Sequence, residues 1–320
     1  MIPSERLGQL SVVCVLGASV MFSLNDVSVK WLSDGYPLHQ IVLMRALIAL
    51  VITLSIAVPL EGGWERLRTR RPMMHVLRGL CVVIANMAFF CSIVVVSLAE
   101  ATAIFFVAPL LITGFSAVFL KEPVGIRRWL ALTIGFVGVL VIVQPGAASF
   151  QWAVLLPVVA AVAYATLHTL TRNMGLSERA STMALYIQLT FIVVCSGMGL
   201  AFGDGRFAGT GNPALEFLFR AWQWPLVHDW PVIALTGIFS AAGGYLISQA
   251  YRLGEAGLVA PFEYTVLVLA VIWGYVIWDE LPDTLSAFGI LLILGSGVFV
   301  AVRETRFGVG PSARRISGRR

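Results

Sequence analysis

The sequence predicts an all-α integral membrane protein with ten transmembrane helices, arranged as two five-helix inverted-topology repeats with both termini cytoplasmic. Composition is the first observation: 58% of the 320 residues are hydrophobic and 12% are charged, against about 25% charged in soluble domains. Ten long apolar segments are the second, and a polar pattern that recurs in both halves is the third. In water such a chain would expose large apolar patches, so we expect the lipid bilayer to be its solvent.

The ten spans follow from segment length, because a helix needs about 20 mostly apolar residues to cross the hydrocarbon core. The segments are 9–31, 38–59, 73–96, 98–120, 128–145, 150–172, 181–202, 231–253, 257–278 and 284–303. The first continues without a small-residue cleavage site, so we expect a span and not a removable signal. The long connection, 203–230, contains FLFRAWQWPLVHDW, which indicates a segment lying flat at the membrane surface.

The distribution of Lys and Arg predicts the orientation, since cytoplasmic loops carry an excess of both. With the N-terminus inside, most of the 22 Lys and Arg residues fall in segments on the cytoplasmic side, including the tail. The loops on the other side hold only Arg206 and Arg220. We therefore expect both termini in the cytoplasm. This placement of charge explains the net charge of +5 without a nucleic-acid partner.

A polar pattern recurs in the two halves of the chain. Each copy places an aromatic, an ionisable and a cationic side chain at i, i+4 and i+8 on one helix face. The copies are Phe22, Asp26 and Lys30 in the first half and Tyr164, His168 and Arg172 in the second. Similar stretches, SLAEA at 97–101 and RLGEA at 252–256, extend the correspondence. One hydrophobic unit is thus present twice.

Five spans in each half invert the second copy relative to the first, because an odd number of crossings reverses the direction of the chain. We predict a first repeat over 1–145 and a second over 146–303. The second repeat contains an extracytoplasmic insertion, 203–230, and a basic cytoplasmic tail follows at 304–320.

Glu263, Tyr245, Gln249 and Asn86 are candidate substrate-binding residues. Glu263 follows Pro261, which removes a backbone donor, and a carboxylate beside a loosened helix can bind a cation or a proton. A structural hydrogen bond to a neighbouring helix is the alternative for Glu263. Tyr245 and Gln249 lie one turn apart on span eight, and Asn86 lies deep in span three, where placed polar groups orient a solute.

Tyr164 and His168 complete the predicted substrate site. Tyr164 is a candidate aromatic of the cavity, and His168 titrates near neutral pH in its unperturbed state. A proton as coupling ion is one role for His168, and a buried structural histidine is the other.

Asp26, Lys30 and Arg45 are candidates for a gate or for coupling. Charged groups in a span are costly, about 2.5 to 3.5 kcal/mol each at the membrane centre on insertion scales. Asp26 and Lys30 stand at i, i+4 and can neutralise each other, either as a gate that breaks between states or as a static pair. We expect Arg45 to join Asp26 or Glu100 in the same outer cluster.

The sequence carries no signature of enzyme chemistry. Four cysteines lie in apolar runs without metal-ligand spacing, and the nucleotide-binding sequence GxxxxGK[ST] is absent. No nucleophile constellation stands out. We therefore predict no enzyme, no cofactor and no metal.

These residues resemble the drug/metabolite transporter superfamily and, within it, the EamA-type ten-helix carriers. The features that carry the resemblance over 9–303 are Arg45, Glu100, Glu255, the acidic helix ends Glu122 and Glu280, and APFEYT at 260–265. The resemblance implies a central cavity lined by spans one to four and six to nine, with spans five and ten at the periphery.

The resemblance and the repeat predict secondary-active transport of a small metabolite by alternating access across a bacterial-type inner (plasma) membrane. Export of amino acids or related amphiphilic metabolites is the first expectation for the substrate. Uptake of a larger metabolite, such as riboflavin or S-adenosylmethionine, is the alternative, and a membrane channel is the alternative of another class. Expected partners are the substrate, membrane lipid and a coupling proton; a monomer and a homodimer both stay open.

Overall fold

The computed structural model of the chain describes residues 4–60, 69, 71–119, 121, 125–145, 151–174, 180–253, 259 and 262–307. Throughout these residues the regular secondary structure is helical and contains no strand. Eight helical stretches of the described residues are long and apolar enough to cross a membrane, one of them (Leu98–Phe119) formed by two helices, and two shorter apolar helices, Thr265–Trp278 and Thr284–Val300, follow them. The predicted all-α membrane protein is confirmed at this level.

The first half contains six helices within the described residues. They are α1 (Ser4–Leu32), α2 (Leu38–Ile52), α3 (Pro72–Ser92), α4 (Leu98–Phe105), α5 (Ala108–Phe119) and α6 (Ile126–Val143). A π-helical turn (Thr53–Ala57) and one further turn (Val58–Leu60) extend α2.

The second half begins with a 3₁₀ turn (Trp152–Leu155) and also contains six helices in its described part. They are α7 (Leu156–Met174), α8 (Ala180–Phe202), α9 (Pro213–Phe219), α10 (Trp230–Leu253), α11 (Thr265–Trp278) and α12 (Thr284–Phe307). The predicted residues Glu122 and Glu255, and the tail beyond Phe307, lie outside the described residues.

Two predicted spans are interrupted, which corrects the expectation of continuous helices. The span predicted over 98–120 breaks at Phe106 and Val107, between α4 and α5. Pro109 lacks an N–H, so the Phe105 carbonyl oxygen has no donor four residues on. The span predicted over 257–278 has a turn at Tyr264, just before α11. The two interruptions meet, because the rings of Phe106 and Tyr264 lie 5.1 Å apart.

The third span is shorter than predicted, since α3 ends at Ser92 and not at 96. The reason is local. The Ser92 hydroxyl donates to the Phe89 carbonyl oxygen at 2.6 Å, and Ser97 then starts α4 with a capping box. In this box the Glu100 N–H donates to Ser97 Oγ, and the Ser97 N–H donates to Glu100 Oε2.

Helix packing pairs elements of the two halves. α1 lies along α10, α2 along α8, and α3 along α7, whereas α6 and α12 pack mainly against each other. Small residues bring α6 and α12 close: a Cβ at Gly138 would lie only 2.8 Å from the Gly289 carbonyl oxygen. α6 and α12 therefore form a separate pair beside the main bundle.

The connection between α8 and α10, residues 203–229, folds over the helix ends, and we call it the cap. We call the membrane face that the cap covers the capped face. It does not simply lie flat as the sequence suggested. Phe217 of α9 is almost fully buried in the core shared with α2 and α3, whereas Trp224 and Val227 stay exposed. The cap is thus packed on one side and exposed on the other.

Candidate functional site

Arg45 forms the centre of a buried polar cluster. Helix α2 carries its side chain into the bundle, where only 5% of the residue is exposed. Its Nη2 donates to Asn86 Oδ1 on α3 at 2.6 Å. The guanidinium also lies over the rings of Phe90 and Phe191, with centroids 5.6 and 5.4 Å away. A planar cation between two rings and an amide is held in a fixed orientation.

Asp26 lies on α1 beside this cluster. Asn25 Nδ2 donates to Asp26 Oδ1 at 3.2 Å, and the charges of Asp26 and Arg45 interact. Among the described residues no hydrogen bond or ion pair joins Arg45 to Asp26, so their association in one cluster stays a prediction. Asn86, predicted as a substrate residue, is part of the same cluster through its hydrogen bond to Arg45.

Tyr164 and His168 form a second group on α7. Their rings are 4.4 Å apart, and the Tyr164 ring also meets the edge of Phe105 at 5.2 Å. Glu263 lies close enough for its charge to act on both Tyr164 and Tyr264. The structure thus places His168 against Tyr164, and Glu263 is near the same tyrosine. Their roles in a substrate site stay predictions.

A row of rings connects the two groups. Phe90 contacts Phe89 at 5.4 Å, Phe89 contacts Phe105 at 5.5 Å, and Phe105 contacts Tyr164. We call Phe90, Phe89, Phe105 and Tyr164 the aromatic row. One end of the row lies at Arg45, and the other lies near Glu263.

The residues of both groups are partly exposed within the bundle, since Asp26, Tyr164 and His168 are each half-buried. Placed polar groups beside aromatic rings are typical of small-molecule sites.

Lys30 does not pair with Asp26, which corrects the predicted gate pair. Its Nζ lies 2.6 Å from Glu280 Oε2 and 4.7 Å from the centroid of the Trp278 ring. The chain turns sharply after α11, where Asp279 adopts a left-handed conformation, and this turn presents Glu280 to the end of α1. A direct ion pair with an aromatic face outweighs the weak interaction available at i, i+4.

Glu100 does not join the Arg45 cluster. Its Oε1 accepts a hydrogen bond from the Ser286 hydroxyl at 2.6 Å, and its Oε2 completes the capping box of α4. Both oxygens are used at the ends of α4 and α12. Helix capping therefore explains why the carboxylate stays at the capped face.

Tyr245 and Gln249 are not brought to the aromatic row by any contact seen among the described residues. Tyr245 is 43% exposed on α10. The neighbouring Gly243 faces α1, where its Cβ would lie 2.8 Å from the Phe22 ring, so Tyr245 points away from α1. The roles of Tyr245 and Gln249 as substrate residues stay predictions.

Sequence reasoning missed the residues that hold the cap. Tyr36, His39 and Gln40 stand together where span two begins, and this density of polar groups at a span end was the available signal. Desolvation and a hydrogen bond to Asp229 raise the pKa of the Tyr36 phenol above its ordinary value.

Within the described part of the chain, no group of three or more His, Cys, Asp or Glu could hold a metal.

A helical bundle with eight candidate spans and a polar and aromatic interior defines the class: a multi-pass membrane protein. The chain belongs to the EamA-like transporter family, which matches residues 9–144 and 151–302.

Similar proteins of known name are bacterial transporters. The chain is 24% identical to an S-adenosylmethionine uptake transporter of Rickettsia bellii, over 90% of this chain and 91% of that protein. It is 28% identical to a riboflavin transporter of Rhizobium johnstonii, over 90% of each, and 28% identical to one of Vibrio cholerae, over 91% and 93%. A crystal structure at 18% identity shares the fold, with a TM-score of 0.63 over 92% of this chain and 98% of that one.

Proposed function

We propose that the protein takes up a metabolite with a flat ring system, of the riboflavin or S-adenosylmethionine type, by secondary-active alternating access. The observation that carries the proposal is the aromatic row, which runs from the Arg45 cluster to Glu263. The relatives named for riboflavin and for S-adenosylmethionine support it.

The site offers a different kind of contact at each end. Phe105 and Tyr164, the half-buried rings of the row, can stack on a flat ligand or meet it edge to face, which favours aromatic solutes over small aliphatic ones. Arg45 and Asn86 can donate to carbonyl or carboxylate oxygens. Glu263 can accept hydrogen bonds from amine or hydroxyl groups of the ligand. His168, beside Tyr164, can also accept a hydrogen bond when its ring is neutral. In this proposal Asp26 is the group that exchanges the coupling proton.

Inverted repeats, a ten-helix topology and cytoplasmic termini in the plasma membrane are parts of the same proposal. Support comes from the two family matches, 9–144 and 151–302, and from the arginines that flank the face opposite the cap. In such transporters the substrate site lies where the two repeats meet, often beside interrupted helices. The contact between Phe106 and Tyr264 at two interruptions fits this arrangement.

Thermal stabilisation of the purified protein by a metabolite panel tests the proposal. A ligand that binds the folded state raises the melting temperature by mass action. We expect stabilisation by riboflavin or S-adenosylmethionine, and its loss in Tyr164→Ala. Stabilisation by amino acids alone would overturn the proposal and favour the export of amino acids that the sequence first suggested.

A further inference from the structure

The cap joins α2 and α8 through one tryptophan. The Trp222 indole lies against Gly199 of α8, where a Cβ would overlap the ring, and the backbone N–H of Trp222 donates to the Gly203 carbonyl oxygen at 2.9 Å. On α2, the His39 ring stacks on the same indole at 5.8 Å. His39 Nδ1 also lies 3.0 Å from the Leu218 carbonyl oxygen. Trp222 thus holds the ends of α2 and α8 together.

Hydrogen bonds extend this connection to the turn between α1 and α2. Arg220 Nη1 donates to the Ser33 carbonyl oxygen at 2.7 Å. The Gln40 side chain donates to the backbone of Gln223 and accepts from it, at 2.6 and 3.2 Å. Tyr36 donates to Asp229 at 2.6 Å, just before α10 begins. On the capped face, α1, α2, α8 and α10 therefore form one connected group.

Fewer polar contacts join this group to α11 in the described structure. Lys30 of α1 pairs with Glu280 beyond the end of α11, and Trp273 Nε1 donates to Ser23 Oγ at 3.3 Å, deeper along the same boundary. The side chain of Lys30 is 8% exposed and that of Glu280 is 35% exposed. The Glu280 side of the pair is thus partly exposed while Lys30 is buried, and this single ion pair can separate more readily than the many contacts of the cap.

We propose that Glu280 is a gating residue, and that the path from the capped face opens between α1 and α11 when the Lys30–Glu280 pair separates. The four helices held by the cap move as one group in this step. The inference rests on alternating access as proposed above. It assigns a role to Glu280, which the sequence indicated only as a helix boundary.

Cross-linking tests the gate without any substrate. In a protein whose native cysteines are replaced, Ser23→Cys reports access from the capped face to a membrane-impermeant maleimide. One form has Lys30→Cys and Glu280→Cys joined beforehand by a short bifunctional reagent. The matched form has Ser33→Cys and Arg220→Cys joined in the same way, which fixes the cap to the α1–α2 turn.

We expect the gate cross-link to slow labelling of the reporter by at least about ten-fold, and the cap cross-link to leave it unchanged. The proposal would be overturned if the gate cross-link and the cap cross-link left the labelling rate of the reporter equal, whether unchanged or slowed. It would also be overturned if the reporter were not labelled in the protein without cross-links. Since no substrate is used, a failed metabolite panel with this labelling pattern would reject the proposed substrate and not the gate.

A charge substitution gives a second measurement on a protein without cross-links. Glu280→Gln should raise the labelling rate of the reporter about two- to five-fold, because it removes the free energy of a partly exposed ion pair. Asp204→Asn is the control, since it removes an ion pair with Arg206 at 3.5 Å in the cap itself. A Glu280→Gln rate equal to that of the control would also contradict the role of Glu280.

Discussion

Arg45 shows at the scale of a single residue how a charge can remain inside the bundle. A charge at the membrane centre costs about 2.5 to 3.5 kcal/mol on insertion scales. Here Asn86 accepts a hydrogen bond at 2.6 Å, two rings cover the guanidinium, and the charge of Asp26 lies nearby. The planar shape of the group matters for the ring contacts, so a lysine is not an equivalent replacement.

Arg45→Lys is therefore expected to lower uptake by about ten-fold or more, since an ammonium keeps the charge but loses the fixed planar contact with Phe90 and Phe191. Initial uptake rates of the metabolite identified by the panel are the measurement. Arg206→Lys is the control, because the Arg206 side chain is exposed in the cap. Unchanged uptake in Arg45→Lys would exclude a role for the guanidinium plane.

Tyr164 should contribute through its ring more than through its hydroxyl. We expect Tyr164→Ala to weaken ligand binding by about ten-fold and Tyr164→Phe by less than about two-fold, because aromatic pairs add about 0.5 to 1.5 kcal/mol beyond buried area. Titration calorimetry measures both. Tyr275→Ala, at an exposed ring on α11, is the control. A larger loss in Tyr164→Phe than in Tyr164→Ala would show that the hydroxyl dominates.

The sequence indicated which polar residues lie within apolar helices but not all of their partners. The sequence shows directly that apolar residues surround Asp26, Lys30 and Arg45. Lys30 and Glu280, however, are 250 positions apart, and only the fold brings them together. The aromatic row was missed for a similar reason, since phenylalanines are frequent in any apolar span and their alignment depends on three helices.

At the scale of helices, the pairing of α6 and α12 depends on glycines at their crossing. Gly138→Ala should lower the free energy of unfolding by about 1 to 3 kcal/mol, because the added methyl group enters a packed contact. The Gly289 carbonyl oxygen and Ile293 Cγ1 would each lie 2.8 Å from it. Thermal unfolding in detergent measures the change.

Gly295→Ala is the matched control on α12, because a Cβ there meets nothing within 4 Å. Alanine favours a helix over glycine, so this variant should be as stable as the parent or more stable. Equal destabilisation by both substitutions would mean that helix propensity, and not the crossing, accounts for the effect.

Helix ends and interruptions were the least predictable elements. Proline is tolerated in transmembrane helices when neighbouring groups satisfy the freed backbone, so Pro109 alone did not predict the break at Phe106 and Val107. The early end of α3 depends on the Ser92 hydrogen bond and on the capping box of Ser97. Both are side-chain contacts that hydropathy does not register.

For the whole molecule, the distribution of arginines predicts that the capped face is external. A membrane-impermeant maleimide should therefore label Ala208→Cys in intact cells and should label Gly125→Cys only after the cells are permeabilised. Both residues are exposed, and they lie in the cap and at the start of α6. Labelling in the reverse order would invert the proposed topology.

The all-helical membrane class was predictable because it depends on apolar length, which a single chain displays. The position of the cap was not, since nothing in FLFRAWQWPLVHDW shows that Phe217 is buried while Trp224 is exposed. Substrate preference was hardest to predict, because it depends on how rings from several helices are arranged relative to one another.

Uptake of labelled riboflavin and S-adenosylmethionine into proteoliposomes of known orientation is the decisive test of the proposed function. We expect saturable uptake of at least one of them by the parent protein and a loss of at least about ten-fold in Tyr164→Ala, with Tyr275→Ala unaffected. Uptake of neither, with saturable transport of amino acids instead, would contradict it, and flux that never saturates would indicate a channel.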